Sequence, residues 1–134
     1  MRPFFCVVIA PTRELALQIK QQFEIFGESI DARVVSVMGG VDVVDQITNF
    51  GNAPHIIVST PGRLASFIRS KSSALDLSNL NFFVIDEADR ILDDGFGSEL
   101  NTIIDILPKT NRQTLLFTAT MNDAIKNLAN GIFI

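Results

Sequence analysis

Apolar and polar residues fall in blocks along this chain. Residues 4–10, 33–38, 55–59, 81–85 and 114–117 are largely apolar, with little alternation. Runs this short, apolar on consecutive positions, predict strands buried on both faces. Segments with apolar residues every three or four positions lie between them. Thr12 heads the first, which carries Leu15, Ile19, Phe23 and Phe26 on one face. Residues 42–50 form a shorter one with Val43, Ile47 and Phe50. Thr60-Pro61 opens a third: a capping hydroxyl, then a proline at the first helical position, then Leu64, Phe67 and Ile68 on one face. Residues 70–73 are polar and read as a loop. Leu100, Ile103, Ile104 and Leu107 mark a fourth helix that stops at Pro108. The last spans about residues 123–129, capped by Asn122 and ending at Gly131. Strands alternating with helices predict a doubly wound α/β domain, its mostly parallel sheet covered on both faces.

The first ten residues also have the look of a crude secretory signal. Their apolar stretch has minimal length, no small-residue cleavage site follows, and a helix starts at Pro11-Thr12. A strand is the better reading. At 134 residues, 47% hydrophobic and 19% charged, the chain predicts one folded domain. No run of about 18 apolar residues exists, so no membrane span is expected. Cys6 is the lone cysteine, read as a small core residue, and its isolation fits an intracellular, reducing compartment. The net charge of −4 argues against a generic nucleic-acid binder. Five acids crowd together, however: Asp86, Glu87, Asp89, Asp93 and Asp94. The eleven Lys and Arg are spread along the chain, which leaves room for a local basic face.

The chemistry gathers at the predicted strand ends. In an open parallel sheet, ligands bind outside the carboxyl ends of the strands. The strand 81–85 delivers Asp86 and Glu87 there. One carboxylate can hold Mg²⁺, and its neighbour can orient or deprotonate a water. An isolated acidic pair can equally cap a helix. Other strands end in Pro11-Thr12-Arg13-Glu14, Gly39-Gly40, Thr60-Pro61-Gly62-Arg63 and Thr118-Ala119-Thr120. Arg13 and Arg63 stand in first helical turns, where backbone N–H groups carry partial positive charge and favour phosphate. The glycines allow a bulky ligand to come close. This suits a sugar–phosphate backbone held without reading bases.

Taken in order, PTRELA (11–16), GG (39–40), TPGR (60–63), DEAD (86–89) and TAT (118–120) resemble the DEAD-box ATP-dependent RNA helicases. Gln46, Arg90-Ile91-Leu92 and Gly95-Phe96 agree with that pattern. The resemblance spans residues 7 to about 128 and is to the first of the family's two RecA-like domains, a fold of the P-loop NTPase type. It implies an enzyme that couples ATP hydrolysis to RNA unwinding or remodelling, with ATP and Mg²⁺ as cofactors. Asp86 would hold Mg²⁺ through water, and Glu87 would position the attacking water and act as general base. Asp89 would interact with Thr118 and Thr120 and couple nucleotide state to RNA. Pro11, Thr12, Arg13, Gly39, Gly40, Thr60, Pro61, Gly62 and Arg63 would contact the RNA backbone. The implied partners are RNA and a second RecA-like domain.

The chain departs from the family's pattern in one large respect. None of its four lysines follows a glycine, so there is no G-x-x-x-x-G-K-[ST] phosphate loop. The family's adenine-recognising glutamine segment and arginine finger are also missing. The expectation is a partial first domain (residues 1–134), a fragment of a longer helicase or a truncated product, inactive alone as an ATPase. In the family the phosphate-loop strand lies beside the strand ending in Thr118-Ala119-Thr120, so an exposed sheet edge there would invite self-association. Thr118 replaces the family's usual serine and keeps the hydroxyl. Two other readings compete. A non-catalytic RNA- or protein-binding module accounts for the same motifs. A receiver-like Mg²⁺ domain leaves PTRELA and TPGR unexplained. Residues 90–94 and 105–121 resemble helicases that act on pre-ribosomal RNA, so nucleus, nucleolus and cytoplasm all stay open as compartments.

Overall fold

A computed structural model describes residues 2–40 and 42–132. The side chains of Val43, Gln46 and Ile47 lie outside that description, and so does the predicted packing of Val43 and Ile47 beside Phe50. Five four-residue strands form one parallel sheet: β1 (Cys6–Ile9), β2 (Val34–Val37), β3 (Ile56–Ser59), β4 (Phe82–Ile85) and β5 (Gln113–Leu116). Their order is β2-β3-β1-β4-β5. The helices are α1 (Arg13–Gly27), α2 (Val43–Gly51), α3 (Pro61–Arg69), α4 (Ala88–Asp93), α5 (Gly97–Asp105) and α6 (Asp123–Ile132).

The apolar runs become strands for the expected reason. Val7, Ile9, Ile57, Phe83 and Ile85 face one cluster, and Cys6, Val8, Ile56 and Val58 face the other. The predicted strand 4–10 is trimmed at its start because Phe4 adopts a left-handed φ of 53°. Its N–H bonds to the Pro54 carbonyl at 2.7 Å, and its ring meets Phe50 edge-on. His55, predicted to open β3, precedes it instead. Buried, it accepts the Arg33 N–H on Nδ1 at 3.0 Å. Burial first, and the Arg33 charge second, push its pKa down.

Several boundaries differ from the sequence reading. The helix α4 has no counterpart there. Gly131 lies inside α6 rather than ending it, since its φ is not positive and helical bonding carries on to Ile132. The Asn122 cap is present, Oδ1 accepting the Ile125 N–H at 2.9 Å. Thr12 caps α1 through Oγ1 and the Leu15 N–H at 3.2 Å. Thr60 occupies the N-cap position of α3, yet its side chain makes no capping bond. Pro61 removes one of the N–H groups otherwise needing a partner there.

The largest correction concerns coverage. Among the described residues, those of α2–α6 that reach the core all pack on one face of the sheet, with Val7, Ile9, Phe83 and Ile85. On the other face the described helical cover is α1, which lies over β2 and β3. Phe26, expected on the buried face of α1, is 77% exposed; among the described residues no other helix packs beside α1 on this face, and Phe82 and Val84 there are only partly buried. A hollow of about 380 Å³ opens there, walled by Phe5, Phe23, Phe26, Phe82, Val84 and Leu115.

Where α1 turns into β2 the packing is tight. A Cβ on Gly27 would sit 2.6 Å from the Ala32 Cβ. Neither atom is the end of a flexible chain, so Gly27→Ala must move backbone. A loss of about 1–3 kcal/mol is expected, read from the urea midpoint against the unsubstituted chain.

Candidate functional site

Parallel pairing fixes the level at which each strand ends. Val37 pairs with Ser59, Ser59 with Ile9, Ile9 with Ile85, and Ile85 with Leu116. These five residues form one rung across the sheet. The next residues in each strand therefore leave the same edge together: Met38, Thr60, Ala10, Asp86 and Phe117. Every motif singled out in the sequence lies on that edge.

On the β4–β5 side the acids are held by the ladder itself. The Asp86 N–H bonds to the Ile9 carbonyl at 2.9 Å, extending the β1–β4 pairing by one residue. Asp86 Oδ1 accepts the Glu87 N–H at 3.0 Å. Glu87 then takes a left-handed conformation, φ 48° and ψ 51°, as the residue before α4. A non-glycine residue there costs of order 1–3 kcal/mol. The turn is pinned from both sides, by Ala88 N–H to the Phe117 carbonyl at 3.0 Å and by Ile91 N–H to the Glu87 carbonyl at 3.2 Å. The Glu87 side chain is thereby turned out to solvent, where Arg90 Nη1 stands 3.6 Å from it. An exposed ion pair of that length contributes little to stability.

Asp89 bonds to the segment after β5. Thr120 Oγ1 donates to Asp89 Oδ2 at 3.1 Å, and Thr118 Oγ1 donates to the Thr120 carbonyl at 2.9 Å. The α4 turn is thus tied to the segment after β5. Partial desolvation raises the Asp89 pKa, but hydrogen bonds from Thr120, the Arg90 N–H, Thr118 and its own N–H outweigh it, and the net shift is downward. A lowered carboxyl pKa stabilises the fold above the usual carboxylate range and loses that contribution as pH falls through the lowered value. Thr120→Val removes the side-chain bond and is expected to raise the Asp89 pKa. A ¹³C-detected carboxyl titration reads it directly, and an unchanged Asp89 midpoint would mean the bond does not form in solution.

On the β1–β2–β3 side, Pro11, Gly39, Thr60, Pro61, Gly62 and Arg63 surround one hollow of about 320 Å³. The Ser59 hydroxyl, fully buried, lies 2.8 Å from the carbonyls of Val37 and Thr60 and ties the ends of β2 and β3 together. The Arg63 guanidinium carbon stands 5.6 Å from the centre of the Phe67 ring. The Thr12 hydroxyl is engaged in the α1 cap. Ser66 and Phe96 also line this hollow and were not among the predicted contacts. Ser66 stands one turn after Gly62 in α3. Gly95 has φ +85°, which turns the chain after α4 so that the Phe96 ring comes 3.5 Å from where a Gly62 Cβ would be. The only sequence signal for this was Gly95-Phe96 itself.

Among the described residues no three acids, histidines or cysteines are grouped to hold a metal by protein groups alone. The Asp86 carboxylate, whose Oδ1 accepts the Glu87 N–H, is a single carboxylate of the kind that can hold Mg²⁺ when phosphates share the coordination. Among the described residues no helix is long and apolar enough to cross a membrane.

Comparison with known proteins decides the family. The sequence model of the DEAD/DEAH box helicases matches residues 2–128. The chain belongs to the DEAD/DEAH box helicase family. It is 47% identical to an ATP-dependent rRNA helicase rrp3 from Schizosaccharomyces pombe, over 94% of this chain and 27% of that protein. Against the Pyricularia oryzae ATP-dependent rRNA helicase RRP3 it is 49% identical, over 95% of this chain and 23% of that protein. A probable ATP-dependent RNA helicase, DDX49, from Mus musculus is 43% identical over 92% of this chain and 26% of its own length. The crystal structure of a DEAD box protein from Methanococcus jannaschii superposes with a TM-score of 0.90 at 32% identity, covering 98% of this chain and 35% of that one. The chain spans about a quarter of the curated relatives it matches. The five-stranded parallel sheet is that of the family's RecA-like domain, and the receiver-like alternative falls.

Proposed function

We propose that this DEAD-box chain carries the strand-end portion of the first RecA-like domain of an ATP-dependent RNA helicase. By itself it binds single-stranded RNA through the backbone and does not hydrolyse ATP. One observation carries the reading. A single rung releases two groups of residues along one edge: Asp86, Glu87, Asp89, Thr118 and Thr120 beyond β4 and β5, and Pro11 to Arg13, Gly39-Gly40 and Thr60 to Arg63 beyond β1, β2 and β3. The two groups share β1 as a neighbour, through Asp86 N–H and the Ile9 carbonyl on one side and the β1–β3 pairing on the other.

In a complete helicase Asp86 would hold Mg²⁺ through water, and the ion would supply charge stabilisation for phosphoryl transfer. Glu87, held outward by its left-handed turn, orients the attacking water and takes its proton. Asp89, fastened to Thr120, carries the state of that corner to the β5 side. Arg13 and Arg63 meet phosphates, while Gly39 and Gly62 let the sugar–phosphate chain come close. A second RecA-like domain closes the cleft from the opposite side. The relatives named rRNA helicases support ribosomal RNA as the substrate class, with the nucleus, nucleolus or cytoplasm as the setting. In the isolated chain, the outer edge of β5 and the bare sheet face beside it favour self-association.

Two titrations test the reading. Labelled single-stranded RNA is expected to bind at low salt, and a fluorescent ATP analogue with Mg²⁺ is not. Nucleotide binding without RNA binding would reverse the assignment of what this portion does.

A further inference from the structure

Gly39 and Gly40 are interchangeable as letters, and the structure separates them. A Cβ on Gly39 would meet nothing within 4 Å. Gly40 has φ +82°, and a Cβ there would lie 2.8 Å from Arg13 Nη1, 3.4 Å from Cζ and 3.6 Å from Nη2. All three atoms belong to the guanidinium, which lies where the side chain of any other residue at position 40 would begin. The backbone of Arg13 is fixed, because Thr12 caps α1 through the Leu15 N–H one turn on. A side chain at position 40 would therefore displace the guanidinium, the one partner free to move.

We infer that Gly40 is a positioning residue: its missing side chain is the seat on which the Arg13 guanidinium rests, held at the strand-end surface for an RNA phosphate. The inference deepens the RNA-binding reading and rests on it. Its physical basis is preorganisation. A free arginine side chain carries about 2 kcal/mol of rotamer entropy, part of which binding must remove. With no side chain at position 40 the guanidinium can lie against the backbone, and contact on that side would remove part of this freedom before RNA arrives and favour one plane for a fork that recognises phosphate bidentately. Gly40 thus acts through Arg13, whereas Gly39, with open space around it, leaves room for the RNA itself.

The test is a double-substitution cycle on RNA affinity, with a second readout that needs no RNA. Gly40→Asn places a Cβ against Arg13 and tolerates positive φ better than alanine does, so it limits backbone strain. Fluorescence anisotropy with labelled oligouridine gives the affinities. Arg13→Ala is expected to weaken binding roughly tenfold, as loss of a charge-assisted bond does. Gly40→Asn is expected to weaken it several-fold, and the double variant should bind no worse than Arg13→Ala alone. In the free protein, Gly40→Asn should shift the Arg13 Nε–Hε resonance, and Gly39→Ala should not. Losses that multiply in the double variant, or an Arg13 resonance unmoved by Gly40→Asn, overturn the seat while leaving the RNA reading in place. If the unsubstituted chain binds no RNA at low salt, the RNA reading falls, and the seat has no function to serve.

Discussion

Mixed with ATP, Mg²⁺ and single-stranded RNA, the 134-residue chain is expected to release phosphate no faster than buffer does. Positioning and charge stabilisation do nearly all the work in phosphoryl transfer. The chain offers Asp86 and Glu87 at the end of β4, but no sequence of the G-x-x-x-x-G-K-[ST] kind to cradle the β- and γ-phosphates. A lone carboxylate then faces a metal without the phosphate oxygens that complete its shell. The loss is of the whole rate enhancement, which makes this the largest effect expected here. A malachite-green assay on the unsubstituted chain and on Glu87→Gln should give the same background. RNA-stimulated release that disappears in Glu87→Gln would show the chain to be a competent ATPase and would sink the idea that it needs the phosphate loop.

The second large effect separates two phenylalanines that look alike in the sequence. Phe83 is fully buried on β4, three residues before Asp86, and belongs to the larger core cluster. Phe83→Ala should cost about 3–5 kcal/mol, a large share of the stability of a small domain. Phe26→Ser should cost little, because that ring is already 77% exposed. Urea denaturation gives both numbers. Sedimentation velocity on the same proteins should show less self-association for Phe26→Ser, since it removes apolar surface at the mouth of the bare sheet face. Equal stability losses for the two would mean that the face beside α1 is covered in solution.

Those two residues also show where a sequence stops being legible. The strands could be read because an unbroken apolar run has few other fates, and the caps at Thr12 and Asn122 because a hydroxyl or amide before an apolar face has one obvious use. The motif residues came together because parallel strands of equal length, paired without stagger, end at one level. Coverage could not be read. The spacing of Phe23 and Phe26 says that α1 has an apolar side, but not that, among the described residues, no second helix packs beside it on that face of the sheet. The short α4 escaped because six residues with only Ala88 and Ile91 buried give no periodicity to detect. Thr60 reads as a capping hydroxyl, yet a proline at the next position leaves fewer N–H groups to cap. Side-chain neighbours brought together by turns, such as Phe96 beside Gly62 and Arg13 over Gly40, depend on positive φ at Gly95 and Gly40. Nothing local in the sequence announces which glycines use that freedom.

Whether the strand-end edge holds an RNA backbone is the central question for this chain. The salt dependence of binding to oligouridine, measured by fluorescence anisotropy for the unsubstituted chain, Arg13→Ala and Arg63→Ala, answers it most directly. Removing one phosphate-binding arginine should reduce the slope of log K against log salt by about 0.7 for a single strand. The predicted result is measurable binding at low salt, with the slope reduced by about that amount in each variant. No binding at low salt, or binding whose slope neither arginine changes, would contradict it.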